Sequence, residues 1–364
     1  MTAPAGSLPF LDLPFLDLPF LDHGSDAFAR DPHACLRTAR AESPIVRTPT
    51  GVGLLTYAAC NALLVDPDFR PGVFEMIRRT LLGSEGTDHQ ELRRVVMPWF
   101  APRRIETLRA QTAALVDELV AGVAGDGGCE FMADVANRIP PTVFCWMVGC
   151  DVQRGPELAH WSSRSGRRAT TSRAPCSERS RRGVLTRRDV RSLLTELLSA
   201  SVDNTTHSMG LAVWLLCEHP AEWSSVADGV APVERAVEEC ARYEPVIRHG
   251  NHVADPGHEL LGIAVAPGTL VTVYLASAHR DPEVYDDPDR FDAGRRSPQP
   301  HLEFGIGRHY CVGAALARLE IQEVVRGVTT RWRTPQIRAG ARVRTATTGE
   351  VDALPMQYEV VAVR

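Results

Sequence analysis

The feature that most constrains the fold is a Pro-free stretch that runs from Thr186 to Cys217. Thr186 and Asp189 have the spacing of a capping box, which begins a helix. Apolar residues then continue along one helical face from Leu193 to Val202. At about 1.5 Å of rise per residue, such a helix is roughly 45 Å long. A helix of that length crosses a whole domain, so both of its ends must pack on other elements.

The other predicted elements are shorter, and most of them are helices. Helical patterns begin at Asp31-Pro32, cover 86–122 with a break near Pro102, and recur over Pro232–Tyr243 and from Ala314 to about Arg326. Strand patterns cover Leu54–Tyr57, His252–Ala254, Leu260–Ala264 and Leu270–Tyr274, and a loop with four Pro spans 280–303. The chain is therefore predicted to be mainly α with a small β region.

Two stretches lack any globular pattern. Residues 8–22 read LPFLD three times, and the Pro in every unit excludes a regular helix. We expect an extended N-terminal arm over 1–23, followed by one domain over 24–364. Residues 162–183 carry seven Arg and no apolar periodicity. This stretch is either a mobile basic loop or locally corrupted sequence.

Charge and cysteine usage exclude several classes of protein. The 364 residues carry a net charge of -5, without the basic excess typical of nucleic-acid binding. The nine Cys are odd in number and lack Cys-x-x-Cys spacing, which argues against a zinc site or a disulfide framework. No leader pattern is visible, and no apolar run approaches the ~20 residues that span a bilayer. We expect a cytoplasmic protein that does not interact with membranes.

The segment from Phe304 to Gly313 carries the strongest chemical signal. Its glycines, Gly305 and Gly307, allow backbone shapes that other residues disfavour. Cys311 then lies just before the predicted helix at Ala314, whose positive end favours an anionic thiolate. A single thiolate at such a junction suits an axial ligand of haem iron. From Cys and Gly alone, a buried cysteine in a Gly-rich turn is the commoner case.

A family resemblance decides between these two interpretations. Phe304-x-x-Gly307-x-His309-x-Cys311-x-Gly313 resembles the haem-binding signature of bacterial cytochromes P450, and the next seven residues resemble the helix that follows it. The resemblance extends, with gaps, from about residue 24 to residue 358. It implies the cytochrome P450 fold, haem b with Cys311 as the axial ligand, and haem contacts from Phe304, Gly305 and Gly313.

Glu239 and Arg242 form a second signature. Residues three apart on a helix lie on the same side and can pair. Taken alone, the pair could equally be a solvated surface ion pair. The resemblance implies instead a buried structural triad, completed by Arg290, with Arg295 as the second choice.

Several basic residues are candidate ligands of the haem propionates. His89 and Arg93 lie four apart on one helix face, and an Arg binds carboxylates in a bidentate way. A basic surface patch is the alternative. The segment resembles the propionate-binding helix of the family, which implies a third contact from His309. His252 stands where the family has a further propionate-binding Arg.

The middle of the long helix resembles the oxygen-activation segment of the family. Ala200 is the small residue expected against the haem, and Asp203 keeps the acid of that pattern. Ser201 stands in the place of a Gly, and Asn204 in the place of a Thr. Asn204 can donate a hydrogen bond to dioxygen or water, and Thr205 takes that role if the helix bulges locally.

The resemblance implies a haem-thiolate monooxygenase, a monomer that hydroxylates, epoxidises or couples a small organic molecule in secondary metabolism. Electrons would come from a ferredoxin, or a similar partner, that docks near Arg308. One alternative is a haem-poor auxiliary subunit, suggested by a short 70–85 loop, by His252 and by the 162–183 stretch. The intact Cys311 loop argues against it. Asn204 suggests a third possibility, a peroxide-using variant.

Overall fold

The architecture is a body of α-helices joined to smaller β-sheets, described from a computed structural model. The structure describes residues 17–361 apart from 73–79, 124, 126, 159, 161–184, 255–258, 298 and 346–347. The helices are α1 (Asp26–Arg30), α2 (Pro32–Glu42), α3 (Tyr57–Val65), α4 (Gly86–Val96), α5 (Pro102–Gly122), α6 (Phe131–Asp134), α7 (Ile139–Val148), α8 (Arg187–Glu218), α9 (Pro220–Ala227), α10 (Val233–Tyr243), α11 (Leu275–Ala278) and α12 (Ala314–Arg331). The predicted mainly α fold is confirmed. Within the described ranges, every helix is too short or too polar to cross a membrane.

The strands form one larger sheet and three smaller ones in the described parts of the chain. They are β1 (Ile45–Thr48), β2 (Gly51–Leu54), β3 (Phe69–Pro71), β4 (Gly128–Glu130), β5 (Gly250–Ala254), β6 (Glu259–Leu260), β7 (Ile263–Ala264), β8 (Leu270–Val273), β9 (Trp332–Ile337), β10 (Arg342–Arg344), β11 (Glu350–Ala353) and β12 (Pro355–Val360). The larger sheet has the order β1-β2-β8-β5-β3, in which only β2 and β8 pair in parallel. The others are β4-β12-β9, β10-β11 and β6-β7.

Helix α8 is the predicted long helix, and it passes through the main core. The Thr186 hydroxyl accepts from the Asp189 N–H at 3.2 Å, and the Asp189 carboxylate accepts from the Thr186 N–H at 3.0 Å, so the predicted capping box is present. The helix packs against α7, α10 and α12. A Cβ at Gly210 would lie 2.6 Å from the Met132 Sδ, so this Gly lets α8 approach α6 closely. Helix α8 is therefore held along its length, as its span requires.

Two strand predictions are wrong in detail. The segment Leu54–Tyr57 is not a strand, because the strand ends at Leu54 and Tyr57 begins α3. The reason is a helix cap: the Thr56 hydroxyl accepts from the Ala59 N–H at 3.3 Å. The predicted strand Leu260–Ala264 is a two-stranded hairpin, with a turn at positive φ at Leu261 and Gly262.

The two unpatterned stretches lie largely outside the described residues. All of 162–183 lies outside the described residues, so the mobility of this stretch stays a prediction. The arm is described only from residue 17. There Leu21 is buried, and its N–H donates to the Arg47 carbonyl of β1 at 2.8 Å. The end of the arm therefore packs on the larger sheet, and a domain boundary at residue 24 also stays a prediction.

Candidate active site

The loop before α12 presents Cys311 at the start of that helix. Gly305 and Gly307 have φ values of 68° and 71°, which side chains with a Cβ rarely adopt. The Cys311 N–H donates to the Phe304 carbonyl at 2.8 Å, which closes the loop. The Gly content that singled out this segment in the sequence thus has a structural cause, since the loop requires left-handed backbone.

Cys311 is exposed at the start of α12. Loss of hydration raises its pKa, whereas the Gly313 N–H and the charges of Arg318 and Arg93 act in the opposite direction. A metal cation deprotonates a coordinating thiol outright. Among the described residues no group of three or more His, Cys, Asp or Glu could hold a metal ion. The exposed Cys311 can thus offer one thiolate ligand to a bound metal.

One face of α8 approaches the Cys311 loop at Ser208. Ala200, Asn204 and Ser208 are spaced four apart, so they share a face. Ser208 borders a small cavity that Phe304 of the Cys311 loop also lines. Ala200 and Asn204 are exposed, as expected for residues that line the open part of the site.

The two candidates for the hydrogen-bonding residue of the oxygen-activation segment, Asn204 and Thr205, lie on different sides of α8. Thr205 is 6% exposed and lies on the packed side of α8, and the helix is α-helical throughout, without the bulge that Thr205 would require. Asp203 is half-buried. The Ser201 hydroxyl donates to the Leu198 carbonyl at 3.1 Å within its own helix. The open face of α8 therefore carries Asn204 and not Thr205.

Helix α4 brings His89 and Arg93 to the Cys311 loop. Arg93 donates to the carbonyls of Arg308 and Tyr310 at 3.1 and 2.9 Å, which joins α4 to the loop. His89 is buried, and burial, with the charges of His309 and Arg93, lowers its pKa to about 4. Its Nε2 has no hydrogen-bond partner among the described residues. A neutral His89 thus keeps a donor or acceptor position unused beside the loop.

His309 lies next to His89 and is held by Glu85, the residue before α4. The two imidazole rings are 4.6 Å apart, and His309 Nε2 lies 2.9 Å from Glu85 Oε1. The other carboxylate oxygen of Glu85 lies 2.9 Å from Arg308 Nε. Arg308 also donates to the Pro67 carbonyl at 2.9 Å, so its guanidinium is engaged within the protein.

His252 reaches the same region from the sheet. It lies on β5, paired with Pro71 of β3. Burial, together with the charges of His309 and Arg308, lowers the pKa of His252 to about 4. A hydrogen bond to the Gly250 carbonyl acts in the opposite direction. The structure therefore brings together His89, Arg93, His309 and His252, which the sequence analysis proposed from three separate segments.

These residues fit a haem on three observations. Cys311 is exposed at the start of α12, the buried Nε2 of His89 lacks a partner among the described residues, and a Cβ at Gly313 would lie 3.9 Å from the Cys311 sulphur. A side chain at position 313 would therefore fill space beside the sulphur that a flat macrocycle needs. His89, Arg93, His309 and His252 offer N–H donors that suit carboxylates.

Glu239 and Arg242 form a buried bidentate pair on α10. The two N···O distances are 2.7 and 2.8 Å, and each residue is 2% exposed. Arg242 also donates to the carbonyls of His279 and Pro288 at 2.8 and 2.9 Å. The surface-pair interpretation is thereby excluded, and the pair ties α10 to the loop that leads toward Cys311.

The choice of Arg290 as the third member of this network is wrong. The Arg290 guanidinium is 63% exposed and pairs with Asp292 at 2.8 Å. Arg295 is 11% exposed, and its Nε donates to Glu239 Oε1 at 3.0 Å. The loop turns so that Arg290 contributes only its carbonyl, which accepts from Arg242 and from Arg295.

The sequence analysis missed three residues that shape the site: Glu85, Arg318 and Glu196. Arg318 binds both carboxylate oxygens of Glu238, at 2.6 and 2.9 Å, and its guanidinium lies 4.3 Å from the Phe304 ring centre. The position of Glu85 just before a predicted helix is a signal that the sequence offered, because acidic residues are favoured at helix N-termini. Glu196 gave no signal, because its partners lie more than a hundred positions away.

Comparisons with known proteins agree with this geometry. A family model described as Cytochrome P450 matches residues 232–328. The chain is 31% identical over 353 residues to Cytochrome P450 monooxygenase PikC of Streptomyces venezuelae, with 84% of each chain covered. It is 28% identical over 374 residues to Luteothin monooxygenase of Streptomyces thioluteus, with 88% of this chain and 91% of the relative covered.

Solved structures share the fold. CalO2 matches with a TM-score of 0.83 at 22% identity, over 94% of this chain and 99% of its own. P450BioI, solved in complex with hexadec-9Z-enoic acid ligated acyl carrier protein, matches with a TM-score of 0.82 at 24% identity, over 92% and 100%. Given the identity to PikC and its coverage, the chain belongs to the cytochrome P450 family of haem-thiolate monooxygenases.

Proposed function

We propose that the chain holds haem b between α8 and the Cys311 loop, with the Cys311 thiolate as the axial ligand. The observation that carries the proposal is the exposed Cys311 at the start of α12, in the loop that α4 contacts through His89 and Arg93. When bound, a haem with a thiolate ligand supplies oxygen activation, because the thiolate favours O–O cleavage. We further propose that the protein acts as a cytoplasmic monomer and that residues 24–364 form one domain.

The propionates would be held by His89, Arg93, His309 and His252. Because their pKa values are lowered to about 4, His89 and His252 are neutral at pH 7 and can each donate one N–H to a carboxylate. Arg93 supplies the positive charge, and its bonds to the loop carbonyls of Arg308 and Tyr310 couple haem anchoring to the position of Cys311.

Proton delivery on the other side would use Asp203 and Asn204. Asn204 faces the open part of the site, where its amide can orient a water molecule. Asp203 is the next residue back along α8 and is half-buried, so its carboxyl can pass a proton to that water. Ala200, one turn earlier, leaves room for the reacting groups.

The substrate would be a small organic molecule of secondary metabolism that is hydroxylated, epoxidised or oxidatively coupled. The names PikC and Luteothin monooxygenase support a monooxygenase acting in this chemistry. We expect electrons from an acidic ferredoxin or a similar partner. The exposed residues Arg94, Arg103, Arg104 and Trp99 near the Cys311 side offer it a basic surface, whereas Arg308 is engaged internally.

The reduced carbon-monoxide spectrum of haem-loaded protein tests the proposal. Wild type should show the red-shifted band of a thiolate-ligated ferrous carbonyl, and Cys311→Ala should lose it completely. Cys150→Ala is the matched control, because Cys150 is an exposed cysteine on a different part of the fold, and it should keep the band. An unchanged band in Cys311→Ala, or no band in wild type, would contradict the assignment.

Peroxide-driven oxidation is a second candidate function, favoured by one observation. The open face of α8 carries the Asn204 amide where a hydroxyl is expected, and Thr205 is turned away. Turnover with hydrogen peroxide alone, compared with turnover with ferredoxin, its reductase and NADPH, separates the two. A higher rate with peroxide would favour this second candidate.

A further inference from the structure

The segment Thr80–Glu85 joins the two sides of the site. At one end, the N–H groups of Leu81 and Leu82 donate to the two carboxylate oxygens of Glu196 on α8, at 2.6 and 2.8 Å. At the other end, Glu85 binds Arg308 and His309 of the Cys311 loop, at 2.9 Å each. One carboxylate therefore anchors the segment to the helix above the site, and the other anchors it to the loop below.

The Glu196 end is a built anion-binding turn. Two consecutive backbone N–H groups converge on one carboxylate, the Thr80 side chain adds a third contact, and the Gly83 N–H closes the turn on the Thr80 hydroxyl at 3.1 Å. Burial raises the pKa of the Glu196 carboxyl, and its bonds with Leu82, Leu81 and Thr80 act in the opposite direction, in favour of the ionised form. Hydrogen bonds to an ionised carboxylate are roughly twice as strong as neutral ones. Glu196 is therefore a strong local determinant of the shape of this turn.

The two leucines of the turn differ in exposure. Leu81 is buried in the main core, whereas Leu82 is 40% exposed. Glu196 precedes Ala200 by one helical turn and Asn204 by two, so it shares the open face of α8 with them. The Leu82 N–H is bonded to Glu196, so Leu82 lies near the face of α8 that carries Ala200 and Asn204.

We propose that Glu196 is a positioning residue that determines substrate selectivity by holding the Thr80–Gly83 turn, and with it Leu82, at the edge of the active site. The inference rests on the proposed function, because this face of α8 meets substrate only if haem lies over Cys311. Glu196 itself contacts the turn and acts on the substrate through Leu82.

The test compares Glu196→Gln with Glu218→Gln in the haem-loaded enzyme. The first variant keeps the size of the side chain but places an NH2 group against a backbone N–H, while Glu218 is an exposed glutamate at the far end of the same helix. Loss of a charge-assisted bond should raise amide hydrogen exchange at Leu81 and Leu82 by about tenfold or more in Glu196→Gln. Exchange in Glu218→Gln should match wild type.

Selectivity is read by spectral titration with imidazole and 4-phenylimidazole, which differ by an apolar ring. Glu196→Gln should change the ratio of their dissociation constants by at least about threefold, since one apolar contact discriminates on this scale. Unchanged exchange at Leu81 and Leu82 would overturn the clamp. Faster exchange with an unchanged ratio would overturn its role in selectivity, leaving Glu196 purely structural.

The carbon-monoxide band separates this inference from the proposed function. Both variants should keep the thiolate band, because neither residue contacts Cys311. If wild type lacks the band, the proposed function and the selectivity role fail together, and exchange at Leu81 and Leu82 still decides whether the clamp exists. If the band is present in wild type and exchange is unaffected, only the clamp is wrong.

Discussion

The two sides of the active site are held in very different ways. On the cysteine side, Arg242 makes a bidentate pair with Glu239 and reaches two further backbone carbonyls, while Arg295 binds Glu239 again from the neighbouring loop. On the substrate side, the N–H groups of Leu81 and Leu82 are bonded to α8 through the Glu196 carboxylate. The loop that leads toward Cys311 is thus held by several buried bonds, whereas the Thr80–Gly83 turn is bonded to α8 through one carboxylate.

This difference follows from what each side must do. A ligand must stay within a fraction of an ångström of its metal, which requires side chains locked by packing and hydrogen bonds. A substrate site tolerates change, because binding residues commonly lie on loops carried by a rigid scaffold. Substitutions on the cysteine side should therefore cost folding stability or haem, and those on the substrate side should change selectivity or coupling.

The largest effect is expected in the buried network. Arg242→Ala leaves the Glu239 carboxylate without its main partner and should lower the free energy of unfolding by about 3–5 kcal/mol. Arg295→Ala should cost less, because Arg242 still neutralises Glu239, and the exposed Arg290→Ala should cost under about 1 kcal/mol. Urea unfolding of the three variants measures the order. If Arg290→Ala costs as much as Arg295→Ala, the assignment of Arg295 to the network is wrong.

A smaller effect is expected at the proposed haem anchors. Arg93→Ala removes the proposed propionate cation and two bonds to the Cys311 loop, and should speed haem transfer to apomyoglobin by about tenfold. Arg94→Ala is the matched control, because it is the exposed neighbour on the same helix, and should leave the rate unchanged. Equal rates for wild type and a His89/Arg93 double variant would contradict the propionate role.

The smallest of these effects is expected for substitutions on α8. Asn204→Ala should lower the product formed per NADPH severalfold, within the range of general acid–base effects, by removing the amide that orients water. Thr205→Ala, on the packed side, should mainly lower stability, by about 1 kcal/mol. Coupling is measured as product against NADPH and peroxide. A larger loss of coupling in Thr205→Ala would show that the helix bulges during turnover.

The sequence by itself determined several features that depend on the spacing of residues along one helix or loop. The cap at Thr186, the Glu239–Arg242 pair and the Gly-rich approach to Cys311 are local, because residues three or four apart on a helix meet wherever the helix lies. The resemblance of the Cys311 segment to the cytochrome P450 signature, together with these features, was sufficient to predict the fold class, and Cys311 as the axial ligand stays a prediction.

Only the tertiary structure decided which residue fills a role when two neighbours compete for it, or when the partners are distant. Arg295 takes the place predicted for Arg290 because the loop between them turns its backbone, and periodicity carries no information about such turns. Asn204 rather than Thr205 faces the site because α8 stays regular. Glu196 binds Leu81 and Leu82 across more than a hundred positions, and only the packed fold brings these groups to hydrogen-bonding distance.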